Sequence, residues 1–113
     1  MDAQQQEDEA RKLEAKAQSE QQLAQRYEQN AEAHANDGDE RRADVEKRQA
    51  DQLAQEAENL NMRAQSLHSN ASDNIRQANQ IKDEIEKLEA DHKKQIDKLE
   101  SERKRLLGGA MLL

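Results

Sequence analysis

Ala50-Asp51-Gln52-Leu53-Ala54-Gln55-Glu56-Ala57-Glu58-Asn59-Leu60 sets a seven-residue rhythm that runs on to His92. Ala50, Ala57, Ala64, Ala71, Ala78, Ile85 and His92 share one position of the repeat. Leu53, Leu60, Leu67, Asn74, Ile81 and Leu88 share a second, three residues further on. Spacing of that kind lines up side chains along one stripe of a helix, the a/d seam of a coiled coil. A seam held this long defines an architecture, and the architecture excludes most functions.

A second register runs upstream. Its a positions are Ala3, Ala10, Ala17, Ala24 and Ala31, and its d positions are Gln6, Leu13, Glu20, Tyr27 and His34. The next a falls on Gly38, whereas the downstream register, carried back from Ala50, begins at Ala43. This offset is neither a stutter nor a stammer, so one unbroken supercoiled helix fits poorly. The break coincides with Asn36-Asp37-Gly38-Asp39. Glycine supplies the left-handed conformation that ends a helix, Asn and Asp favour turns, and Asp39 can cap the helix that follows. The sequence therefore predicts an αα-hairpin with its tip at 36–39. Asp2, with Gln5 three residues later, is a capping box for the first helix.

Pairing across the hairpin can be written down. In antiparallel packing an a residue meets a d residue. If paired numbers sum to 77, Ala10 meets Leu67, Leu13 meets Ala64, Ala17 meets Leu60, Ala24 meets Leu53, and Tyr27 meets Ala50. Each layer sets a small side chain against a large one. Parallel packing of identical seams would alternate Ala–Ala gaps with Leu–Leu layers, and interiors avoid such voids, so complementarity selects the antiparallel hairpin or an antiparallel dimer with the same layers. Glu20 opposite Ala57 and Glu46 opposite Ala31 are weak layers, and their carboxylates are expected to reach solvent past the alanines. Ala3 falls beside Asn74, where the first helix runs out. There Ser66-Leu67-His68-Ser69-Asn70-Ala71-Ser72-Asp73-Asn74 is poor in helix formers, a weak helix or a hinge.

Composition agrees with this reading. One aromatic residue in 113, no Pro and no Cys, with 38% charged residues, leave too little apolar bulk for an ordinary core. Such a chain either stays disordered or forms a long helix that buries a narrow stripe. Its wealth of Ala, Gln, Glu, Lys, Arg and Leu favours the helix. Residues 1–40 carry 11 acids and 4 bases, so nucleic acid is not the expected partner of that half. Met1-Asp2-Ala3-Gln4 has no secretory or transit character, and no run reaches the roughly 20 apolar residues of a membrane span.

Beyond residue 74 the seam changes character. Ile75, Ile81, Ile85, Leu88, Ile96, Leu99 and Leu106 replace the alanines, with a stutter-like slip between His92 and Ile96. This segment has no intrachain partner left, and each such side chain gains about 1.5–3 kcal/mol from burial. Residues 75–107 therefore read as an oligomerising stem that meets a second chain. Asp83–Lys87, Glu89–Lys93 and Glu100–Lys104 are spaced to support the helix as i,i+4 pairs. Gly108-Gly109 then ends it. Residues 108–113 form an apolar tail whose Met111, Leu112 and Leu113 are expected to dock on a neighbouring subunit or another protein of the same assembly.

No catalytic constellation is present. His34, His68 and His92 lack a second ligand at helical spacing and read as structural or solvated residues. Neither metal nor cofactor is expected. The basic run Lys93, Lys94, Lys98, Arg103, Lys104 and Arg105 is interrupted by Asp97, Glu100 and Glu102 and has no aromatic residue beside it. It reads as a solvated helix face.

Three patches carry a resemblance: Gln25-Arg26-Tyr27-Glu28-Gln29-Asn30-Ala31, Gly38-Asp39-Glu40-Arg41-Arg42, and Arg103-Lys104-Arg105-Leu106-Leu107-Gly108. Together they resemble the Ala/Gln-rich helical section of internal virion proteins, of the ejection or cargo type, from tailed bacteriophages. The resemblance implies a non-enzymatic structural component, present in many copies in a virion. The competing class is a cellular, cytoplasmic coiled-coil scaffold or tether joining two protein partners. The expected fold is all-α: an antiparallel helical hairpin over residues 2–74 continuing into a long single-helix coiled-coil stem. Expected partners are copies of the chain itself and other proteins of a larger assembly, with neither nucleic acid nor membrane among them.

Overall fold

Asp2 starts the first helix. Its Oδ1 accepts the Gln5 backbone N–H at 2.8 Å, while Gln5 Oε1 accepts the Asp2 backbone N–H at 3.0 Å. The reciprocal pair satisfies two donors that the first turn leaves open. Helix α1 then runs Ala3–Asn36, and α2 runs Glu40–Leu107. The structure, a computed structural model, describes residues 1–108. Among these there is no strand.

The turn lies where the register breaks. Gly38 has φ +85°, a conformation that L side chains rarely adopt. Its N–H donates to Ala35 O at 3.1 Å, and the Asp39 N–H donates to His34 O at 2.8 Å. These two bonds close the last carbonyls of α1 over a left-handed glycine. Asp39 Oδ1 then accepts the Arg42 N–H at 3.3 Å and caps α2. One aspartate thus ends one helix with its backbone and starts the next with its side chain.

The chain divides into two units, Met1–Asn74 and Ile75–Leu113. In the first, α1 and the beginning of α2 form the antiparallel hairpin. Ala10, Leu13, Ala17, Ala24 and Ala31 are buried on one side, and Ala43, Ala50, Ala57, Ala64 and Ala71 on the other. Every remaining a or d position of α1, and of α2 up to Asn74, is at least partly buried. Ala10, Leu13 and Ala64 form a core cluster with Leu60 and Leu67 packed against it, which joins the members of two small–large layers. Small seam residues let two helix axes approach closely, and dispersion then replaces bulk as the source of cohesion.

Polar seam residues show that the register is kept from end to end. Asn74 Nδ2 donates to Gln6 Oε1 at 2.9 Å near the open end, and His34 Nε2 lies 3.3 Å from Glu46 Oε1 near the turn. Both are d-to-d contacts and their residue numbers share one sum, so no slip intervenes.

Glu20 and Glu46 depart from expectation. Rather than reaching past the alanines, each keeps Oε2 buried without a hydrogen-bond partner. The neighbouring alanines are the reason: they leave room over the seam, and the carboxylate stem lies down in it. Glu46 recovers part of the cost through His34.

In the second unit, α2 continues from Ile75 as a single helix to Leu107. The Ser/Asn-rich stretch 66–74 stays within α2, so it forms no break in the helix. Gly108, with φ +56°, ends it, its N–H donating to Lys104 O at 3.0 Å. The spaced pairs Asp83–Lys87, Glu89–Lys93 and Glu100–Lys104 are not drawn together as ion pairs. Long exposed side chains gain little from holding one such geometry.

Candidate assembly surfaces

Burial on α2 changes abruptly at Asn74. Up to that residue every seam position is covered by α1, and from Ile75 onward every described residue is exposed. Ile75 is 51% exposed, Ile81 56%, Ile85 49%, Leu88 68%, Ile96 42%, Leu99 64% and Leu106 79%. Helical spacing sets these side chains in one stripe. A run of this length is unusual, because soluble proteins scatter exposed apolar residues singly. Ala78 and His92, which continue the seam by spacing, are exposed with them. All seven residues expected on the stem are thus exposed; Ile81 to Leu106 follow the seam spacing, and Ile75 stands at the flanking position after Asn74. The tail residues Met111, Leu112 and Leu113 lie outside the described residues.

The turn residues Asn36, Asp37, Gly38 and Asp39 are brought together at the hairpin tip, with Asn36 as the last residue of α1. Asp39 is the only one of the four that is partly buried, because its carboxylate caps α2 and also lies 3.7 Å from Arg42 Nε.

One constellation escaped the sequence reading. His68 sits between two carboxylates of α1: its Nδ1 is 2.7 Å from Glu7 Oε2, and its Nε2 contacts Glu14 Oε1. A carboxylate offers only acceptors, so both ring nitrogens must donate, which describes an imidazolium. The hydrogen bonds to Glu14 and then Glu7 raise the His68 pKa above the ordinary value of 6.5, against a smaller opposing effect of burial. Glu7, Glu14 and His68 each follow a d residue, namely Gln6, Leu13 and Leu67. These are the flanking e positions, which face one another when helices run antiparallel. That register was the signal that could have found the clamp.

The concave surfaces beside the hairpin are open grooves lined by residues such as Glu14, Gln18, Gln21, Glu58 and Asn61. Among the described residues, no group of three or more His, Cys, Asp or Glu side chains is placed to hold a metal ion. No helix among them is long and apolar enough to cross a membrane. Compared with known proteins, the chain matches no family model, no curated protein and no solved structure.

Proposed function

We propose that this chain is a non-enzymatic structural protein that builds a larger assembly through the face of α2 beyond Asn74. The observation that carries the reading is the continuous exposed stripe from Ile75 to Leu106. A helix with mean hydropathy as low as this one is marginal alone in water, and pairing of that stripe would stabilise it. The hairpin covers its own seam and so presents a separate, polar surface to the rest of the assembly.

The setting favoured by the sequence patches around Tyr27, Gly38 and Arg103 is the virion of a tailed phage, with the chain in many copies. A cellular scaffold or tether is the second reading, because hairpin and stem offer two surfaces of different character to two partners. Copy number separates the settings: quantifying the chain in purified particles should give a number fixed by particle symmetry, and its absence from particles would remove the virion reading. Deleting residues 110–113 should leave helical content intact and abolish incorporation. Normal incorporation of the truncated chain would remove the docking role of the tail.

A further inference from the structure

The exposed stripe of α2 has a symmetry that its length and charges make specific. From Ile85 to Leu106 the seam follows the order Ile85, Leu88, His92, Ile96, Leu99, Arg103, Leu106. Ile85 to Ile96 and Leu88 to Leu99 are both eleven residues, so the slip after His92 is one eleven-residue repeat inserted among heptads. Reversing the chain about His92 carries this pattern onto itself.

We infer that the stem pairs with the stem of a second copy, antiparallel, with His92 opposite His92 at the centre. On that pairing Ile85 meets Leu99 and Leu88 meets Ile96, each twice. Ala78 meets Leu106, the same small–large rule that the hairpin follows. Arg103 falls opposite Ile81, where the aliphatic part of its side chain can lie over the isoleucine while the guanidinium reaches water.

Charge favours the antiparallel direction. Ile at a with Leu at d would by itself suit a parallel pair of strands. A parallel pair, however, sets Arg103 against Arg103 in the seam and Glu84 against Glu89 on the flank. The antiparallel pair keeps the two Arg103 side chains apart and sets Lys82 near Glu100 and Glu89 near Lys93, both repeated by symmetry, against two repulsive contacts, Glu84 with Glu102 and Glu89 with Glu100. The Lys82–Glu100 contact joins two e positions, as His68 does with Glu7 in the hairpin. Glu89, Lys93 and Glu100 are all exposed and are not drawn into ion pairs within their own helix.

Length agrees as well. In this register the partner's α2, ending at Leu107, stops opposite Gln77. Asn74 is the last seam position that α1 covers, through Gln6. The partner's stem therefore takes up the seam of α2, from Ala78 on, after α1 leaves it at Asn74. The dimer is closed.

This inference rests on the assembly reading, and the test keeps the two apart. The chain has no cysteine, so single substitutions in the full-length protein report contacts directly. Under mild oxidation, His92→Cys should crosslink two chains. Ile85→Cys alone should not, because its counterpart lies 14 residues along the partner, about 21 Å at 1.5 Å per residue. Ile85→Cys mixed with Leu99→Cys should crosslink again. Lys82→Glu should weaken the dimer by about tenfold, and adding Glu100→Lys in the same chain should restore it. Crosslinking of Ile85→Cys alone would establish a parallel pair and overturn the inference while leaving an oligomerising stem. A two-chain mass with none of these crosslinks would overturn it through a different register. A single-chain mass at high concentration would overturn both the inference and the assembly reading.

Discussion

Gly38 holds φ at +85° with open space where a Cβ would sit, so a side chain there is opposed by backbone conformation alone. Placing an L residue in that region costs about 1–2 kcal/mol. Gly38→Ala should therefore lower the denaturation midpoint of the full chain by a corresponding amount, and a D-alanine at the same position should not. Equal effects of the two enantiomers would show that the turn does not use this conformation. His68 gives a second prediction at this scale. Its pKa is raised in the folded hairpin by Glu14 and Glu7. The stabilisation it contributes is present in full below the unfolded value of 6.5 and is lost as pH rises through the raised folded value. As pH rises from below 6.5 through the raised folded value, the wild-type chain should lose thermal stability relative to His68→Asn, which lacks the titrating imidazole. Parallel melting-temperature profiles for the two chains would dismiss the clamp.

At the level of the helices, α1 and α2 owe their pairing to alanine at every a position from 10 to 71, which two registers broken at Gly38 make readable in the sequence. The capping box at Asp2, the turn at 36–39 and the end of α2 at Leu107 were legible for a similar reason, because each depends on residues a few positions apart. The clamp at His68 was not, because Glu7 and Glu14 are distant in sequence and become neighbours only after the antiparallel register is fixed. Nor were the postures of Glu20 and Glu46, which depend on the space that small residues leave across the seam. Glu20 leads to a further prediction. With one carboxylate oxygen buried and unpartnered, Glu20→Leu should stabilise the hairpin by about 1–3 kcal/mol through relief of that cost and added apolar contact. Chemical denaturation followed by circular dichroism measures it, and a destabilised variant would mean that the carboxylate is satisfied in solution.

The whole molecule divides labour between two units: Met1–Asn74, which covers its own seam, and Ile75–Leu113, whose described residues are exposed from Ile75 on. Stability and assembly should then be separable by mutation. A charge at Ile85 would sit at the middle of the exposed stripe, touching no residue of the hairpin's core. The direct measurement is the mass in solution, by light scattering, of the full chain and of Ile85→Asp, with helical content recorded on the same samples. The wild type should show twice the 13.0 kDa chain mass, and the variant a single-chain mass with the hairpin's melting transition retained. An unchanged mass for Ile85→Asp, or a variant whose hairpin melts along with the lost assembly, would contradict this division.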